Sequence, residues 1–156
     1  RPRTDRNELE KYHEGLIVCS ACIGGEIPKK IINDQLDEAE EAVRWYKNLF
    51  GDDFYLELQR HKATVPRANH EAYPLQQKAN AKLLEYAKKY GIKVICSNDV
   101  HFVDEENAEA HDRLICLSTG KDLDDPSRML YTTLCGCSRS SFQYVGDFGQ
   151  SGILFY

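Results

Sequence analysis

Three short apolar runs limit what this chain can become. They are GLIVCSA (15–21), FYLEL (54–58) and KVICS (93–97), each bounded by Gly, Asp or Asn. Their content of β-branched and aromatic residues predicts strands. The longer stretches between them repeat apolar residues at spacings of three and four. In DEAEEAVRWYKNLFG the repeating positions are Ala39, Ala42, Val43, Tyr46 and Phe50, which predicts a helix buried along one side. Acidic residues open this helix and Gly51 closes it, as the helix dipole and left-handed C-caps favour. In LQQKANAKLLEYAKKYG the positions are Ala79, Leu83, Leu84, Ala87 and Tyr90, and Gly91 closes it. A third helix is expected after Val103, with Ala108, His111, Leu114 and Ile115 on one side. Strand and helix alternating three times is the order of an α/β protein with parallel strands.

The chain of 156 residues suits one domain around one core. Its net charge of −5 rules out a general electrostatic attraction to DNA. Any nucleic-acid contact would need a local basic patch or a bound cation. No apolar run approaches the ~18 residues of a membrane span, so no membrane partner is expected. The first residues, RPRTDRNELEKYHEG, lack the apolar centre of a signal peptide and carry no initiator Met. The expectation is a piece of a longer cytoplasmic protein. Its six cysteines are then free thiols, with Cys96 and Cys116 as packing residues. RHKATVPRANHEAYP (60–74) reads as a long loop. The stretch 132–156, with four glycines and almost no charge, has no sustained period. It is expected to add little to the fold.

In parallel α/β folds the loops after the C-terminal ends of the strands line the active site. Here the first strand leads to Ser20 and Cys22, the second to Glu57 and His61, and the third to Asp99 and His101. Five of these are metal-ligand types. Residues two apart in an extended segment, such as Asp99 and His101, point the same way. Each also has a plainer reading: a turn aspartate, a packing cysteine, a glutamate facing solvent. CSAC (19–22) is a single C-x-x-C, and a redox pair is disfavoured if Cys19 and Cys22 point to opposite faces of a strand. The paired glycines of CIGGEIP (22–28) read as a tight turn before a helix rather than an anion cradle. No Walker A, G-x-S-x-G or G-x-G-x-x-G motif is present.

The segments EKYHEGLIVCSACIGGEIPKKI, FGDDFYLELQRH and GIKVICSNDVHFVDEENAEAHDRLICLSTGKDLDDPSRM together resemble the polymerase-and-histidinol-phosphatase (PHP) domain of bacterial replicative DNA polymerase III alpha subunits. NDVHF, AEAHD and TGKDLDDP, in this order, carry most of the resemblance, which covers residues 1–131 and leaves 132–156 as an atypical tail. It implies the later part of a distorted seven-stranded β/α barrel with divalent metal ions (Zn, Mn or Mg) on its strand-end rim. It implies metal-dependent phosphodiester hydrolysis of the 3′–5′ exonuclease type, or a scaffold where the metals are lost. DNA and other replisome subunits are the implied partners. Cys22, Asp99 and His101 match the family's late metal ligands, Glu57 and His61 match weaker positions with possible catalytic roles, and His111, in the helix after the last motif, is expected to be supporting or structural. The family's early His-x-His is absent, so the implied metal site is incomplete and the chain alone is expected to be inactive. A stand-alone PHP phosphoesterase is the remaining alternative, disfavoured by TGKDLDDP.

Overall fold

The structure, a computed structural model, describes residues 4–60, 71–97, 101, 103–125, 127–128 and 144–145. Among the described residues five α-helices and four strands follow in order: α1 (Arg6–Tyr12), β1 (Val18–Cys19), α2 (Glu26–Ile32), α3 (Leu36–Phe50), β2 (Phe54–Gln59), α4 (Ala72–Tyr90), β3 (Lys93–Ser97), α5 (Ala108–Thr119) and β4 (Tyr144–Val145). The sheet runs β1-β2-β3-β4. The first three strands are parallel, with Val18 opposite Phe54 and Tyr55 to Gln59 opposite Lys93 to Ser97. Each parallel step is made through helices, as the alternation in the sequence requires. The fourth strand departs from the parallel expectation: Tyr144 and Val145 pair antiparallel with Ile95 and Val94.

The register separates the two faces of the sheet. Phe54, Leu56, Leu58 and Val94 point toward the helices and are buried. They meet Ile27 and Ile31 of α2, Ala39, Ala42 and Val43 of α3, and Leu83, Tyr86 and Ala87 of α4. Tyr55, Glu57, Ile95 and Ser97 lie on the other face and are half-buried. This alternation is the period of two of a strand with one covered face.

Both long helices end as expected, α3 at Gly51 and α4 at Gly91, each with positive φ. The inward face of α4 differs in part. Gln76 and Tyr86 are buried there, while Leu84 and Tyr90 are half-buried. Tyr86 can lie inside because its hydroxyl donates to the Leu36 carbonyl at 3.1 Å. The first strand is shorter than its apolar run: Leu16 and Ile17 are exposed, and pairing starts at Val18.

The face expected of α5 is corrected more strongly. Leu114 is 62% exposed, and Cys116 is the buried residue of this helix. Arg128 returns to α5 and pairs with Asp112, its guanidinium also donating to the Leu123 carbonyl at 2.7 Å. Asp112 and Cys116, four apart, therefore share a face. At ~100° per residue Leu114 lies about 200° from Asp112, on the opposite side.

Within the stretch 132–156 the described residues are Tyr144 and Val145, which pair with β3 in a two-residue ladder. Removing 132–156 is expected to lower the thermal midpoint by less than ~4 °C, since a drop of about 4 °C corresponds to roughly 1–2 kcal/mol in a domain of this size. A calorimetric scan of the truncated chain decides whether the stretch packs more strongly than that.

Candidate functional site

The C-terminal ends of the three parallel strands are tied together by polar side chains centred on Glu57. Its backbone N–H donates to Ser20 Oγ, just past β1, at 2.8 Å. Its carboxylate Oε1 accepts from the Ser97 hydroxyl at the end of β3 and from Gln59 Nε2 at 3.0 Å. Gln59 in turn accepts at its carbonyl from Asn80 Nδ2 of α4, at 2.9 Å. Glu57, Gln59 and Ser97 meet because β2 and β3 are in register there, with Glu57 opposite Ile95 and Gln59 opposite Ser97. Buried amides and hydroxyls with partners rigidify a rim. Gln59 follows Glu57 by two positions on the same face and was legible in the strand period. Asn80 comes from a helix 21 residues later and had no signal in the sequence.

The turn after β1 brings Cys22 to the same place. Ala21 adopts the left-handed region (φ 61°), and Gly25 donates its N–H to the Cys22 carbonyl at 2.8 Å. This tight turn leads into α2, as expected for CIGGEIP. Cys22 and Glu57 line one pocket with Gln59, Gln76, Asn80 and Leu83. Cys19 is exposed, lies opposite Tyr55 on the Glu57 face of the sheet, and carries a thiol pushed up first by desolvation and then by the Glu57 charge. A thiol held protonated is a poor nucleophile. Cys19, Cys22, Cys96 and Cys116 are all free thiols; Cys116 is buried and Cys96 half-buried.

His101 is exposed, and its ring lies 5.6 Å from that of His111 at the start of α5. Desolvation, then the neighbouring His101, pushes the His111 imidazole down. The expected Asp99 and His61 lie outside the described residues. Among the described residues, no group of three or more His, Cys, Asp or Glu side chains is placed to hold a metal ion. Cys22 and Glu57 share a pocket, but they do not fit a metal centre by themselves.

The Ser97 hydroxyl is the one direct side-chain bond from β3 to the Glu57 carboxylate among the described residues. Ser97→Ala is expected to destabilise the chain by about 1.5 kcal/mol, the lower end of the range for a hydrogen bond to a charged group, since both residues are half-buried. Urea unfolding of the variant against the parent measures it.

Comparison with known proteins gives this geometry a context. The PHP domain family model matches residues 1–61. DNA polymerase III subunit alpha of Borreliella burgdorferi is 41% identical over 133 residues, covering 85% of this chain and 11% of that protein. The Thermus aquaticus subunit is 40% identical over 128 residues, covering 82% and 10%. The Aquifex aeolicus subunit is 39% identical over 127 residues, covering 81% and 10%. The chain belongs to the PHP-domain region of the DNA polymerase III alpha subunit family. It spans about a tenth of the length of the curated relatives it matches.

Two of the phrases that carried the PHP resemblance are joined in space. Asp112 of AEAHD pairs with Arg128, just after TGKDLDDP, and the Arg128 side chain is only 6% exposed. Lys121 and Ser127 each reach Asp125 within that loop. No helix among the described residues of this PHP-domain region is long and apolar enough to cross a membrane.

Proposed function

We propose that the chain serves DNA replication as a section of the PHP barrel of a cytoplasmic polymerase III alpha subunit. Its strand-end rim contributes part of a divalent-metal phosphodiesterase site of the 3′–5′ exonuclease type. Cys22, Asp99 and His101 are the metal-ligand candidates, with Glu57 and His61 as further ligands or proton acceptors. DNA and other replisome subunits are reached through the parent protein. The observation that supports this reading is Cys22 and Glu57 lining one pocket at the ends of β1 and β2, in a chain 41% identical to such a subunit. The half-buried face of Tyr55, Glu57, Ile95 and Ser97 suits the inner wall of a barrel, with the helices outside.

The same geometry limits what the chain does alone. Glu57 is committed to Ser97 and Gln59 through one oxygen, and a hydrolytic metal needs a fixed coordination shell. The purified chain is expected to leave the 3′ end of single-stranded DNA untrimmed with magnesium, manganese or zinc. Metal-dependent trimming that disappears in His101→Ala would overturn the expected inactivity. To test the larger reading, the chain replaces the matching segment of a full-length relative. Retained primer extension supports it; loss of folded, active polymerase counts against it.

A further inference from the structure

We propose that α1 is a strap latched by exposed charges, able to leave the body of the protein while the core stays folded. The inference stands apart from the reading of the rim. A helix of two turns does not persist in water without docking, and none of the seven residues of α1 is buried. Its attachment is therefore made of surface contacts. Arg6 Nη2 donates to Glu26 of α2 at 2.7 Å, both side chains being well exposed. The same guanidinium lies over the Trp45 ring of α3, 4.7 Å from its centroid. Trp45 Nε1 donates to Glu10 at 3.2 Å, while Glu26 is itself held to α3 by the Tyr46 hydroxyl at 3.1 Å, a bond outside α1. Leu9 adds partial apolar packing. The rest of the fold does not depend on these contacts, because Phe54, Leu56 and Val94 are buried by α2, α3 and α4.

Exposed charges at contact distance are screened by salt, and the Debye length falls from about 10 Å at 0.1 M to about 3 Å at 1 M. The strap should therefore open in two ways, by salt and by loss of its anchor. Trp45 is the only tryptophan in the chain and reports directly, its emission shifting to the red when α1 leaves. Because Arg6 touches that ring, Glu26→Gln is the cleaner variant and Arg6→Ala its companion. Amide hydrogen exchange is followed over residues 6–12 and, as the internal reference, over 54–59. In both variants, and in the parent chain at about 1 M sodium chloride, exchange in α1 should rise several-fold, with Trp45 red-shifted and β2 unchanged. If α1 stays as protected in both variants as in the parent, or if it opens only together with β2, the strap does not exist as an independent unit.

Discussion

Gly25→Ala is expected to destabilise the protein by about 3 kcal/mol, the upper part of the usual range for overpacking. A Cβ at this position would sit 2.3 Å from the Ser20 carbonyl oxygen and 3.1 Å from that of Cys22. Both are backbone atoms, so no flexible side-chain end can move aside. The φ of Gly25 is −65°, a value any residue adopts, so the cost is contact rather than dihedral strain. Relief requires the turn 20–25 to shift, and Ser20 with it. Ser20 Oγ receives the Glu57 N–H, so the damage reaches the rim. Urea unfolding should show the loss, and hydrogen exchange should show the Glu57 amide less protected. A variant as stable as the parent would mean that the close approach relaxes freely.

Leu56→Ala is expected to cost about 3–4 kcal/mol, within the range for a fully enclosed leucine. Leu56 is 0% exposed at the middle of β2, between β1 and β3 on the face covered by helices. It belongs to the core cluster that the sheet shares with α2, α3 and α4, so the vacated volume cannot collapse easily. The cost should exceed that of Ser97→Ala about twofold, although both residues belong to the same sheet. Leu56→Met, close in volume, should recover most of the loss, since such exchanges usually cost less than ~1.5 kcal/mol. Thermal and urea denaturation of the three variants separates loss of volume from loss of a polar bond.

The periods of the sequence carried the α/β alternation, the strand 93–97, the ends of α3 and α4, and the inward Ala39, Ala42, Val43 and Leu83. These features are local: a strand or an amphipathic helix writes its own spacing, and a glycine with positive φ marks its end. NDVHF and TGKDLDDP carried the family for the same reason, as runs of adjacent residues. What only the tertiary structure decided involves partners distant in sequence. Arg128 returns to Asp112 on the side of α5 that carries the buried Cys116, and Leu114 is left on the opposite, exposed side. Tyr86 is inside because the Leu36 carbonyl waits for its hydroxyl. Glu57 is a hydrogen-bonded tie between strands because the parallel register sets Ser97 and Gln59 side by side. Burial of a polar group depends on whether a partner arrives, and that is settled by packing across the fold rather than by the spacing along the chain.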